Sequence, residues 1–241
     1  MTDRKTALVT GANKGIGWEI ARGLGRRGYR VWLGSRDAGR GEAAADALHG
    51  EGLDVRALTL DVTDDASVAD AARALAHQTE WLDALVNNAG IAAGRAKPAE
   101  ESLDSIRDIH AVNVFGPIRV TRAMLPLLRR ADAPRIVMVS SSLGSLSWAS
   151  NFGAPMSEVN LLGYASSKSA LNMIMLCLAK ELGPDGFKVN SCCPGYTATD
   201  LNQHQGHRTP EQGAAIAVRL ATLDAEGPTG GFFDDGGVVA W

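Results

Sequence analysis

The sequence predicts an α/β fold, a doubly wound sheet of about seven parallel strands with helices on both faces. Three observations predict it. Short apolar runs rich in β-type residues recur along the chain. Ala-rich stretches of helical length separate most of them. The strand runs are nearly continuous in apolar residues rather than alternating, as expected for strands covered on both sides. A length of 241 residues suits one such domain, spanning 1–241.

The elements follow in order. Strand runs are "TALVT" (6–10), "RVWLG" (30–34), "VRALTL" (55–60), "LDALVN" (82–87), "RIVMVS" (135–140), "KVNSCC" (188–193) and "GGFF" (230–233). Between the early strands lie "GWEIARGLGRRG", "GEAAADALHG" and "DASVADAARALAHQ", helical by composition and length. No tandem repeat, low-complexity tract or linker interrupts this alternation. The least regular stretch is 142–163, rich in Ser, Gly and Asn. It falls after a strand, where loops of open α/β sheets line the ligand crevice.

Bulk properties narrow the function classes. Apolar residues make up 45% of the chain, enough for a substantial core. A net charge of -3 gives no polycationic surface for nucleic acid. No apolar run is long enough to span a bilayer, and the charged start passes directly into a strand, which predicts no leader. Three cysteines, Cys177, Cys192 and Cys193, do not suggest a disulfide framework. Cys192 and Cys193 alternate sides on a strand and read as small packing residues with no neighbouring charge. These features together point to the cytoplasm.

"TGANKGIG" (10–17) follows the first strand. Gly11 permits a tight turn, Gly15 a close backbone approach to a pyrophosphate, and Gly17 close packing of the next helix. That helix's N-terminus would face the phosphates. The alternative is a strand–helix turn that merely needs flexible glycines. Further on, "YASSK" (164–168) places Tyr164 and Lys168 four apart, on one face of a helix. A tyrosine hydroxyl is ordinarily a weak acid, with a pKa of about 10. A lysine cation beside it favours the phenolate and lowers that value, which fits proton transfer.

"TGANKGIG", "NNAG" (87–90), Asn113, a serine after the fifth strand and "YASSK", in this order, resemble the short-chain dehydrogenase/reductase family along essentially the whole chain. "NKGIG", "SRD", "CCPGY", "DAEGP" and the terminal Trp241 are most similar to its carbonyl reductases. The resemblance implies a Rossmann-like catalytic domain that binds NADP(H) and reduces an aldehyde, ketone or quinone. The other readings are an NAD(P)-dependent alcohol or hydroxysteroid dehydrogenase running toward oxidation, and a non-enzymatic NADP(H) sensor. A sensor has no need of a proton donor.

For the cofactor, Asp37 fits the count of an NAD-type acid, but Ser35 holds that acid's expected place at the strand end. Lys14 and Arg36 favour the 2′-phosphate of NADP(H), unless both are simply solvated. Asn13, Ile16 and Val62 join the cofactor set by resemblance. Asp61 would bond the adenine amino group, or else cap the next helix. Asn88 and Gly90 would lie beside the cofactor, or form a plain turn. Pro194, Gly195, Thr197 and Thr199 would approach the nicotinamide, the threonines through its carboxamide.

At the reaction centre the resemblance makes Tyr164 the acid/base and Lys168 its tuner and the ribose ligand. Ser141, the second of three adjacent serines, would orient the substrate oxygen; turn chemistry is the alternative for all three. Asn113 would hold a water linked to Lys168, or make a buried structural bond. Ser141 to Tyr164 is about ten residues longer than the family's common form, which implies a loop insertion. Trp148, Phe152 and Met156 there would wall the pocket or pack the core, with Trp148 and Tyr196 assigned to the substrate. A short polar lid covers 200–212. His204 and His207 in it read as solvated rather than as metal ligands. The implied partner is a small carbonyl compound, with neither nucleic acid nor membrane. Homo-oligomers through the Tyr164 helix are common in the family.

Overall fold

The computed structural model describes residues 4–92, 96–153 and 158–241. Strands β1 (Thr6–Val9), β2 (Arg30–Ser35), β3 (Val55–Thr59), β4 (Ala84–Asn87), β5 (Arg135–Val139), β6 (Lys188–Cys192) and β7 (Phe232–Asp234) pair in parallel. Their order is β3-β2-β1-β4-β5-β6-β7. Each overlaps an expected run. A short β8 (Gly237–Val238) was not expected and pairs antiparallel with β7. Its turn forms because Asp234 Oδ1 accepts from Gly236 N at 2.8 Å and Gly237 takes φ 130°. Two residues are too few to show a period.

The helices are α1 (Gly15–Gly25), α2 (Ala38–Gly50), α3 (Asp65–Ala76), α4 (Leu103–His110), α5 (Gly116–Leu128), α6 (Leu146–Ala149), α7 (Leu162–Leu182) and α8 (Pro210–Ala221). Strand alternation sorts the core. Val9, Val31, Leu33 and Val86 face Ile20 and Leu24 of α1, Leu48 of α2 and Ile216 of α8. Leu8, Trp32, Leu85 and Met138 face Val68 of α3, Met124 of α5 and Leu171 and Met175 of α7. Every one of these side chains is buried, at about 25 cal/mol per Å² of apolar surface removed from water.

The strand order reverses between β1 and β4, which opens a crevice at their C-terminal ends. The glycine loop leaves β1 there. "NNAG" leaves β4, the serines leave β5, and the 193–199 segment leaves β6. All the candidate loops thus share one edge of the sheet. Among the described residues, no helix is long and apolar enough to cross a membrane.

Candidate active site

The glycine loop is built from backbone. Gly11 and Gly15 sit at φ 60° and 58°, a region costly for side chains. A Cβ on Gly17 would lie 2.5 Å from Gly11 O. Asn88 Nδ2 donates to Thr10 O at 2.9 Å and to Gly11 O at 3.1 Å. Thr10 Oγ1 accepts from the N–H groups of Asn88 and Ala89, both at 3.0 Å. Asn88 therefore staples the end of β4 to the loop. The α1 N-terminus has no side-chain cap and no acid in its first turn. The first α-helix after each of the other strands β2 to β6 is capped: α2 by Asp37, α3 by Asp64, α4 by Ser102, α6 by Ser145 and α8 by Thr209. Exposed N–H groups without a resident carboxylate fit a pyrophosphate.

The residues around the nucleotide end divide differently from expectation. Asp37 accepts from Arg40 N at 2.8 Å, so its carboxylate holds the start of α2. Ser35 is buried and donates to Asp37 O at 2.8 Å. Asp61 is not the cap of α3, since Asp64 accepts from Ala66 N and Ser67 N. Instead Asp61 Oδ1 accepts from Thr63 N at 2.9 Å and Thr63 Oγ1 at 2.7 Å. These bonds, helped by the charge of Arg36, hold its carboxyl below the usual range. Val62 is buried against Gly116. Lys14 ion-pairs with Asp200 of the lid. Lys14 also lines, with Asn13, Gly15, Trp18 and Arg40, an open depression of about 540 Å³. Arg40, three residues after the capping Asp37, is a second cation at this depression.

The reaction centre joins β5, α7 and the end of β4. Ser141 lies near enough to Tyr164 for its hydroxyl to favour the phenolate, and its Oγ accepts from Leu143 N at 3.2 Å. Its neighbours point elsewhere: Ser140 Oγ donates to Lys168 O at 3.4 Å, and Ser142 N to Cys193 Sγ at 3.2 Å. Ser141 is thus the serine that reaches the tyrosine. Lys168 is buried and Nζ donates to Val139 O at 2.8 Å. The ammonium lies 5.6 Å from the Tyr164 ring centroid. A Cβ on Gly90 would sit 3.4 Å from Asn113 Oδ1 and 3.5 Å from Lys168 Nζ, so "NNAG" ends against both.

Two expectations need correction here. The Tyr164 phenol is not lowered; burial pushes it up to about 12, although the Ser141 hydroxyl opposes this. Burial likewise pushes Lys168 down to about 8. In both groups desolvation by burial is the leading cause, and the ammonium donates to Val139 O. Second, the cysteines do have a charged neighbour, for Lys168 lies close to Cys192 and Cys193. Burial still dominates and pushes the Cys192 thiol up. All three cysteines are free.

Asn113 is fully buried in a π-helical turn, Ala111–Phe115. Its Oδ1 accepts from Ile91 N, and its Nδ2 donates to Ile91 O and Ser167 Oγ, all at 2.9 Å. The side chain therefore clamps the end of "NNAG" to α7, the buried structural bond that was one of its two expected roles. Ser167, one of the small residues inside "YASSK", is the α7 side of this clamp and donates to Tyr164 O at 2.7 Å. Its signal in the sequence was a polar residue on the buried side of the helix.

Beyond β6, Gly195 takes φ 73°. Thr197 is buried and its Oγ1 donates to Pro194 O at 3.1 Å, so its hydroxyl stabilises this turn rather than facing a carboxamide. Thr199 approaches Gly15: its Cγ2 is 3.6 Å from where a Gly15 Cβ would lie. Tyr196 is exposed and meets the His207 ring edge-on, centroids 6.0 Å apart. The 200–212 segment expected to form a lid is a short turn, Asp200–Asn202, followed by a loop into α8. His204 Nε2 bonds Asp200 Oδ1 at 2.8 Å. In the insertion, Trp148 is 50% and Phe152 88% exposed, so neither packs the core. Met156 lies outside the described residues. Trp241 O accepts from Ser147 N at 2.6 Å, tying the C-terminal residue to the insertion.

Taken together, a phosphate-ready turn and a Ser–Tyr–Lys cluster share one crevice of a doubly wound sheet. That combination defines an oxidoreductase of the dinucleotide-using kind. The family model for short chain dehydrogenases matches residues 5–210, and the chain belongs to that family, whose members act on CH–OH and C=O groups. It is 36% identical to (+)-neomenthol dehydrogenase of Arabidopsis thaliana over 283 aligned positions, covering 94% of this chain and 95% of the relative. It is 34% identical to the NADPH carbonyl reductase 1 of Bos taurus, covering 98% of each. The solved NADPH-bound carbonyl reductase from chicken fatty liver superposes with a TM-score of 0.85 at 26% identity, covering 99% of each chain.

Proposed function

We propose that this chain is an NADPH-dependent carbonyl reductase, working in the cytoplasm as a single catalytic domain on an aldehyde, ketone or quinone. The observation that carries the reading is the Ser141–Tyr164–Lys168 cluster beside the uncapped α1 N-terminus. When bound, NADPH supplies the hydride. Gly11 to Gly17 and the α1 N–H groups hold the pyrophosphate. Lys14, Arg36 and Arg40 offer cations for the 2′-phosphate. The NADPH-using relatives support that choice, as does the capping role of Asp37, which removes the NAD-type acid.

Ser141 and Tyr164 donate to the carbonyl oxygen as negative charge develops on it. Tyr164 then delivers its proton, giving the alcohol. Lys168 stabilises the tyrosinate left behind and, once turned from Val139 O, reaches the nicotinamide ribose. Asn113 and Ser167 hold α7 in register with Gly90, so the pair keeps its place. Trp148 and Tyr196 are candidates for an apolar substrate wall. The same residues run alcohol oxidation in reverse, and the dehydrogenase name of the Arabidopsis relative favours testing both directions.

Consumption of NADPH and NADH is to be followed with a panel of aldehydes, ketones and quinones. Tyr164→Phe should lower kcat by roughly 10²–10⁴-fold while leaving NADPH binding intact. Near-normal turnover by that variant would sink the mechanism.

A further inference from the structure

We propose that Asp200 is a specificity-determining residue: its carboxylate competes with the 2′-phosphate of NADP(H) for Lys14, and so couples cofactor choice to the position of the lid. The proposal rests on the NADPH reading above.

Lys14 precedes α1, whereas Asp200 opens the lid turn, yet their side chains are ion-paired. The other carboxylate oxygen of Asp200 takes His204 Nε2 at 2.8 Å. Lys14 foremost, and then His204, hold the Asp200 carboxyl below its usual range. The pair thus links a cation of the nucleotide site to a residue of the lid. It is also exposed, so its partners can exchange.

The lid turn gives an independent reason to treat this contact as a latch. Gln203 and His204 lie at φ 56° and 60°, the left-handed region, although neither is glycine. Such a conformation is unfavourable for a side-chain-bearing residue and persists only where contacts hold it. Within the turn, Thr199 N donates to Asn202 Oδ1 at 3.1 Å and Asn202 Nδ2 to Thr197 O at 2.8 Å. The chain His204–Asp200–Lys14 ties the turn to the glycine loop, beside the approach of Thr199 to Gly15.

Lys14 has one ammonium for two anions. A phosphate monoester carries about -1.5 to -2 at neutral pH, more than a carboxylate. It therefore wins the ammonium, and like-charge repulsion drives Asp200 away. NADH lacks that phosphate and leaves the pair closed. By linkage, whatever holds Asp200 on Lys14 weakens NADP(H) by the same factor.

The test is cofactor affinity by titration calorimetry on the full chain, for NADPH and NADH separately. Asp200→Asn should tighten NADPH about two- to five-fold, the range of an exposed ion pair, and change NADH less. Asp200→Glu restores the charge and should return the wild-type value. In a Lys14→Met background, Asp200→Asn should lose its effect. An unchanged NADPH:NADH affinity ratio in Asp200→Asn, or an effect that persists without Lys14, overturns the assignment. A wild-type protein without preference for NADPH overturns the cofactor reading beneath it instead.

Discussion

The turn after β1 and the turn after β6 reach the same crevice, but they are held in opposite ways. The first rests on backbone and buried bonds. Its positive φ values fall on Gly11 and Gly15, and Asn88 is bonded to its carbonyls. The second has one left-handed glycine, Gly195, and then two left-handed residues that are not glycine. Its outward side-chain pairs are Asp200 with Lys14 and Arg208 with Asp235, and within it Tyr196 meets His207. A site for a constant group is preformed at little reorganisation cost. A cover over variable substrates is better built from contacts that can exchange.

That contrast can be broken first at Gly17. Gly17→Ala drives a methyl to 2.5 Å from Gly11 O, a backbone atom that cannot swing away. Overpacking of this kind costs about 1–3 kcal/mol. Thermal denaturation should show a Tm lower by roughly 2–4 °C per kcal/mol, and calorimetry a NADPH affinity at least about ten-fold weaker. Unchanged values would show the first turn to be as yielding as the second.

Between the two turns sits Lys168, lowered to about 8. Carbonyl reduction should fall as pH rises through 8, because the neutral amine no longer stabilises the tyrosinate. Lys168→Arg should move that limb upward in a pH–rate profile. Stability has the opposite sign. The unfolded lysine keeps its proton to about 10.5 while the folded one has lost it near 8, so the unfolded state binds more protons in that window. The Lys168 contribution to stability therefore rises with pH between those values, which urea titrations at pH 8 and 10 would read.

The smallest effect belongs to Gln203. Gln203→Gly relieves a left-handed side chain and should stabilise by up to about 1 kcal/mol after the entropy of glycine is subtracted. A raised Tm would set it against Gly17→Ala, where glycine is removed rather than added. A lowered Tm would mean that Gln203 makes a contact worth more than its strain.

Local patterns revealed most of the sheet because each strand has its own apolar run, and the strand order reverses where a glycine loop was expected. β8 escaped because its two residues depend on a turn. The shared helix face of Tyr164 and Lys168 was legible from their spacing, and Ser141 from the family resemblance together with its strand position. The uses of Asp37, Thr197 and Asn113 were not. Each is a polar residue whose partner is chosen among several within reach: Arg40 N, Pro194 O, and Ile91 with Ser167.

By itself the order of residues determined the class of fold, the glycine turn after β1 and the spacing that puts Tyr164 and Lys168 on one helix face. These depend on periodicity, on glycine's freedom and on a four-residue helical step, all local properties of the chain. Tertiary structure alone decided the protonation of Tyr164 and Lys168, the clamp on Asn113 and the partner of Lys14. Desolvation, and the choice of a hydrogen-bond or ion partner, depend on what distant segments bring alongside. Asp200 lies 186 residues from Lys14, and no local pattern contains that meeting.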